Sequence, residues 1–201
     1  MENFDIIGYI LQFLDRKDFF KSEIYTICKF YNRIFNDTII KNMYKDIMIS
    51  NFPKFRSSNL SILTNLTSLD LRNHCGYIGL IKHIDILNNL KSLSLRDSNS
   101  ITDFGMKYLT NLTFLDLSFN KNITNISFLN KLETLILTCN TKITYISNLT
   151  NLTSINLDRN NIITMESLKS LPKLSIIMLR HNHPIVKNRD RDRKWELRFV
   201  Y

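Results

Sequence analysis

The sequence contains no alanine, and its 201 residues include only four glycines, three prolines, three cysteines and one tryptophan. Each scarcity removes a class of function. Four scattered glycines leave no glycine-rich loop to cradle a phosphate. Cys28, Cys75 and Cys139 are too few and too far apart for a disulfide framework or a zinc knuckle, and they suit a reducing compartment. No apolar run approaches the ~18 residues that span a bilayer, so no membrane partner is expected. The opening MENFDIIGYILQFLDRKD places an acidic residue ahead of its apolar stretch and has no small-residue cleavage site, unlike a secretory leader. H-E-x-x-H, G-x-S-x-G and Cys-x-x-Cys are all missing. His181 and His183 stand two apart with no third ligand placed by spacing. No catalytic set, metal or cofactor is therefore expected, and the chain reads as a non-enzyme.

Acidic residues are outnumbered, giving a formal charge of +9. The excess is spread along the chain as +2 over residues 1–58, +4 over 59–186 and +3 over 187–201. A phosphate backbone is usually met by a stripe of Lys and Arg on one face. Diffuse charge favours solubility instead, and nucleic acid is disfavoured as a partner. The missing alanine beside abundant Ile, Asn, Lys and Phe fits AT-rich coding rather than a structural demand.

What the chain does contain is a recurring phrase, L-x-x-L-x-L-x-x-N, well seen in LETLILTCN from Leu132 to Asn140. Its first leucine falls at Leu66, Leu90, Leu112, Leu132, Leu152 and Leu174, in steps of 24, 22, 20, 20 and 22 residues. The phrase and its period resemble the leucine-rich repeat, in which each coil of a solenoid holds one short strand and one return segment. No coil buries its apolar face alone, so coils must stack. The expected fold is thus an α/β repeat, a right-handed solenoid of about six coils with a parallel sheet on its concave face. Asn120, Asn140, Asn160 and Asn182 occupy the ninth position, where a short amide can bond the turn leaving each strand. Between phrases, Ile143, Ile146 and Leu149 recur at three-residue steps, which predicts a return segment of turns or 3₁₀ helix. GLIKHIDILNN and ITDFGMKYLTN have room for a real helix.

Strand alternation points the leucines inward and their neighbours outward. The outward set includes Arg72, Arg96, Phe114, Asp116, Thr134, Ile136, Asn156, Asp158, Met178 and Arg180, and this face is where a partner would be selected. Phe114, Ile136, Ile176 and Met178 are expected to stand exposed as anchors among polar neighbours. The alternative is a solvated sheet with Ile136 and Met178 covered by the tail.

Ahead of the repeats, Ile6, Ile7, Ile10, Leu11, Phe13 and Leu14 follow helical steps, as do Ile27, Phe30, Tyr31 and Ile34. The run IIGYILQFLDRKDFF followed by ICKFYNRIF resembles an F-box. Asp5-Ile6-Ile7, then Ile10-Leu11, Leu14 and Asp18-Phe19 stand at its acidic and apolar positions, and Ile27-Cys28-Lys29 with Tyr31 at its closing motif. Glu2-Asn3 replace that family's opening Leu-Pro, and the interval from Leu14 to Ile27 is about two residues longer than its usual one, a length difference that loops absorb.

The resemblance implies a small helical segment that docks on a Skp-type adaptor through Ile6, Ile10, Leu11, Leu14, Phe20, Ile27 and Tyr31. Through that adaptor it would join a cullin ubiquitin ligase, with an unknown target protein held on the repeats. Without the resemblance, the same helices read as a cap on the first coil of a plain interaction scaffold. Residues 1–57 are assigned to this segment with a connecting helix continuing through Met48, 58–186 to the repeats, and 187–201 to a C-terminal cap or basic tail. Trp195, Leu197, Phe199 and Tyr201 alternate there as in a half-buried strand. The expected location is cytoplasmic or nuclear, or the host cytoplasm for a viral source.

Overall fold

The computed structural model describes residues 46–48, 65–72, 87–98, 101–187 and 195–200, the first group by backbone alone. The described strands are β1 (Asp46–Met48), β2 (Ser68–Asp70), β3 (Ser92–Ser94), β4 (Phe114–Asp116), β5 (Thr134–Ile136), β6 (Ser154–Asn156), β7 (Ile176–Leu179) and β8 (Glu196–Phe199). They form one sheet in strict sequence order, every neighbouring pair parallel. At ~4.8 Å per strand the sheet is about 34 Å long. Three short helices interrupt the returns among the described residues: α1 (Asp103–Met106), α2 (Met165–Lys169) and α3 (Pro184–Lys187).

The ladder repeats coil by coil. Ser92 N–H donates to the Thr67 carbonyl at 2.9 Å, Phe114 to Lys91 at 3.0 Å, Thr134 to Thr113 at 2.9 Å and Ser154 to Glu133 at 3.0 Å. This register places Leu69, Leu93, Leu115, Leu135, Ile155 and Ile177 in one inward column, each at most 1% exposed. Leu71, Leu95, Leu117, Leu137, Leu157 and Leu179 form a second column, and Ile143, Ile146 and Leu149 close the interior from the return side, all fully buried. Burying such a side chain is worth about 1.5–3 kcal/mol, and each is buried mainly by its copies in the adjacent coils. The returns around Ile143–Leu149 are turns, with no 3₁₀ helix among the described residues.

The sheet begins earlier than the leucine phrases do. Asp46–Met48 pairs in parallel with β2, where the sequence predicts the end of a connecting helix. The stretch carries no leucine phrase, and so short an apolar run reads equally well as helix or strand. The remainder of the F-box-like segment, with Ile6, Ile10, Leu11, Leu14, Phe20, Ile27 and Tyr31, lies outside the described residues, as does most of GLIKHIDILNN. ITDFGMKYLTN does hold a helix, α1. At the other end, β8 pairs with β7, and Trp195 is buried beside it.

A ladder of buried amides locks the turns. Asn140 Nδ2 donates to the carbonyls of Leu117 (2.9 Å) and Asn120 (3.1 Å), while its Oδ1 accepts from Lys142 N–H (2.9 Å) and Ile143 N–H (3.0 Å). Asn160 repeats the pattern on Leu137, Asn140, Ile162 and Ile163, and Asn120 reaches the Ser98 carbonyl. The residue before each rung, Asp97, Phe119, Cys139 or Arg159, has φ between 50° and 58°. None of these is a glycine, so the ladder must hold left-handed backbone that costs about 1 kcal/mol or more at such side chains. Cys139 is a half-buried residue of this turn.

The last coil departs from the expected rung. Asn182 is exposed, and His183, 4% exposed, takes its place. Its Nε2 lies 2.5 Å from the Asn160 carbonyl, and its Nδ1 accepts from Ile185 N–H at 3.2 Å. The turn holds one residue more than its predecessors, since Leu179 and His183 are four apart where Leu137 and Asn140 are three apart. The imidazole spans the same two directions as an amide, donor on one side and acceptor on the other.

On the return side, Asp103 ties two coils together. Its carboxylate accepts from Thr124 N–H (2.8 Å), Thr124 Oγ1 (2.5 Å) and Asn125 N–H (3.1 Å). Partial burial works against the charge, but the Thr124 hydroxyl and the two backbone donors outweigh it and hold the carboxyl below its ordinary value. A depressed carboxyl stabilises the fold fully above the unfolded value of about 4 and loses that contribution as pH falls through the folded one. Asp103→Ala is accordingly expected to cost about 1 kcal/mol at pH 7. The gap between variant and wild type in urea unfolding should narrow toward pH 3.

Candidate functional site

Every second residue of the sheet points to the concave face, and the register sorts these residues into rows running across the coils. The first row holds Ser68, Ser92, Phe114, Thr134, Ser154, Ile176 and Glu196. The second holds Asp70, Ser94, Asp116, Ile136, Asn156, Met178 and Arg198. Just past the strands come Arg72, Arg96, Ser118, Thr138, Asp158 and Arg180. All ten residues expected to select a partner fall on these rows.

Their environments differ from what alternation alone suggests. Phe114, Ile136, Ile176 and Met178 are half-buried rather than exposed, because strands ~4.8 Å apart shield the flanks of any side chain between them. The described part of the tail does not cover them: β8 extends the sheet at its edge, with Glu196 and Arg198 facing solvent. Asp116 is 8% exposed and is bound by its own turn, accepting from Ser118 N–H at 2.8 Å and Ser118 Oγ at 2.5 Å.

Charges on this side are largely matched within the chain. Arg72 pairs with Asp70 at 2.7 Å, and Arg180 pairs with Asp158 of the preceding coil at 2.7 Å. The hydrogen bond to Asp70 and its charge hold the Arg72 guanidinium above its ordinary value. Arg96 lies over the Phe119 ring, 5.4 Å from its centroid. The result is a surface of small hydroxyls with a few apolar side chains, bounded by neutralised ion pairs. Such a surface offers shape and contact area rather than a field for a polyanion.

The family model described as "Leucine Rich repeats (2 copies)" matches residues 88–131. The array is a leucine-rich-repeat solenoid. Among solved structures it is similar to an internalin, InlF, of Listeria monocytogenes, with 22% identity and a TM-score of 0.54 over 74% of this chain and 53% of that one. It is also similar to internalin C2 of the same bacterium, with 23% identity and a TM-score of 0.54 over 78% of this chain and 80% of that one. The match thus spans about half the length of the first, and at this identity the likeness concerns the fold. No curated protein matches the sequence significantly.

The repeats also carry features on their return side that the leucine phrase does not signal. Phe104, Tyr108, Tyr145 and Ile162 are the exposed large apolar residues among those described, Phe104 at 63%. Phe104 and Tyr108 meet edge to face at 5.9 Å, with Lys107 Nζ 3.9 and 4.8 Å from their centroids. The two extra residues of this coil form the helical turn α1 and lift Phe104 out of the stack. Coil length was the available clue. No group of three His, Cys, Asp or Glu side chains among the described residues can hold a metal ion, and no described helix is long and apolar enough to cross a membrane.

Proposed function

We propose that this chain is a protein-interaction scaffold whose leucine-rich-repeat face holds a target protein. The observation that carries the reading is the concave sheet itself. Phe114, Ile136, Ile176 and Met178 lie half-buried among small hydroxyls, with the neighbouring Arg72 and Arg180 already paired to Asp70 and Asp158. Apolar anchors inside a polar surround are the pattern of a protein-binding surface. The matched charges make binding weakly dependent on salt.

The finer reading is that the scaffold serves as the substrate-recognition subunit of a Skp/cullin/F-box-type ubiquitin ligase. Its support is the F-box-like pattern at residues 2–36, with Ile6, Ile10, Leu11, Leu14, Phe20, Ile27 and Tyr31 as the docking set. The mechanism would be proximity: one tether raises the effective concentration of target lysines beside the loaded ubiquitin carrier, with no catalytic residue in this chain. A plain scaffold whose N-terminal helices only cap the first coil is the alternative.

Co-purification with a Skp-type adaptor separates the two. Wild type is expected to retain the adaptor, and Ile10→Asp and Leu14→Asp are each expected to weaken retention at least tenfold, the effect of one lost anchor of more than about 1.4 kcal/mol. The double variant Ile136→Asp/Met178→Asp is expected to keep the adaptor and lose the target. Failure of the wild type to hold any adaptor, with target binding intact, would leave the plain scaffold.

A further inference from the structure

β8 is the outermost of the described strands at the C-terminal end of the sheet. Glu196 N–H, in β8, donates to the Ser175 carbonyl at 2.7 Å and Val200 N–H, just past it, to the Leu179 carbonyl at 3.1 Å, so the even-numbered residues spend their main-chain groups on β7. By alternation, Leu197 and Phe199 direct theirs away from the sheet. Among the described residues no strand lies beyond β8, so it forms an open edge. Leu197 and Phe199 are only half-buried, since their column has no next coil to cover them.

Edges of this kind are usually blunted by charges of one sign that repel a neighbour. β8 has the opposite arrangement. Glu196 and Arg198 flank Leu197 symmetrically on the concave side, both exposed and 2.8 Å apart at Arg198 Nε. We propose that β8 pairs antiparallel with β8 of a second copy of this chain about a two-fold axis at Leu197. In that register Leu197 faces Leu197 of the second copy, and their outward-pointing main-chain groups meet in a hydrogen-bonded pair at the axis. Glu196 then stands opposite Arg198 of the second copy, and Arg198 opposite its Glu196, both in the closer non-hydrogen-bonded pairs. The interface is isologous: one patch complements itself. Any register shifted by two residues sets these opposed charges apart.

The strand is held ready for this. Trp195 is buried at its start, and the Phe199 ring stacks on His181 with centroids 3.8 Å apart and planes 12° from parallel. Little main-chain freedom is left to lose on pairing. Two such strands bury an area at the low end for specific complexes, below about 1,200 Å², so the dissociation constant should be on the order of 100 µM.

Sedimentation equilibrium of the full chain from ~10 µM to ~1 mM tests the proposal over that range. Wild type is expected to pass from monomer to dimer. Arg198→Glu makes the edge wholly acidic and Glu196→Arg makes it wholly basic, and each is expected to weaken self-association at least tenfold. Mixed in equal amounts, the two variants are expected to recover a heterodimer. The double exchange Glu196→Arg/Arg198→Glu should self-associate like wild type. Leu197→Pro removes an N–H that β7 does not use, which an edge strand tolerates, and it should yield a monomer whose circular-dichroism melt matches that of Leu197→Ala, which loses the same side chain but keeps the N–H and the dimer. A wild type that stays monomeric to ~1 mM, or a dimer indifferent to Arg198→Glu, overturns the proposal. So does an edge that pairs only with a peptide of another sequence.

Discussion

Leu135→Ala is expected to destabilise the array by about 2–5 kcal/mol, toward the upper end of that range. Leu135 is fully buried in β5, with Leu115 in register on one side and Ile155 on the other. Its neighbours belong to coils clamped by their own ladders and amide rungs, so the cavity cannot collapse, and an unrelaxed cavity is what makes such truncations expensive. A solenoid adds a second consequence. Its stability is close to a sum of coil and nearest-neighbour terms, and Leu135 takes part in two of the interfaces. Urea unfolding followed by circular dichroism should show a lower midpoint and a less cooperative transition, as the two halves of the array begin to unfold separately. Leu197→Ala, half-buried at the end of the same column with one neighbour, is the internal control and should cost only about 1 kcal/mol.

Asn140→Ala is expected to cost about 3–5 kcal/mol, although it removes no apolar contact of note. The amide satisfies four main-chain groups, two carbonyls, of Leu117 and Asn120, and two N–H groups, of Lys142 and Ile143, all buried but that of Lys142, which is partly so. Each buried polar group left without a partner loses about 1–3 kcal/mol, part of which entering water restores. The same change releases the left-handed turn at Cys139, whose φ of 53° is held by the rung that follows it. Asn140→Asp keeps the acceptor but turns a negative oxygen toward two carbonyls, and should be no better than alanine. Asn140→His should restore stability only with a residue inserted before it, since His183 fills the rung of the last coil at the end of a turn one residue longer. Equilibrium urea midpoints of the four variants decide each comparison.

These two sites mark how far the sequence could be read. The leucine phrase carries the inward column, because a side chain every second residue repeated at a fixed period leaves one arrangement that buries them all. The amide rungs at Asn120, Asn140 and Asn160 were legible for the same reason. The rung at His183 was not, since a one-residue insertion shifts it off the phrase, and equivalence to asparagine rests on hydrogen-bond directions rather than residue type. The strand at Asp46–Met48 was hidden because no leucine phrase marks it, and only its pairing with β2 identifies it.

The concave face was half legible. Alternation placed Phe114, Ile136 and Met178 on it, and the structure adds that adjacent strands cover their flanks. Asp116 reads as a partner-facing carboxylate in the sequence, yet Ser118 two residues on folds back and occupies it. Nor does order along the chain show that Arg180 meets Asp158 across 22 positions. For the exposed aromatic pair Phe104 and Tyr108 the sequence offered only the length of their coil, which leaves room for a helix but does not say which rings stand outside it.

The sequence by itself determined the period, the parallel sheet and the inward leucines, since burial of a repeated apolar side is a local rule iterated from coil to coil. Only the tertiary structure decided which polar residues are spent inside the fold, where the sheet starts, and that Glu196 and Arg198 flank an open edge. Those outcomes depend on contacts between residues some twenty positions apart, or on β8 being the outermost strand among the described residues, and neither is written in the composition of any one coil.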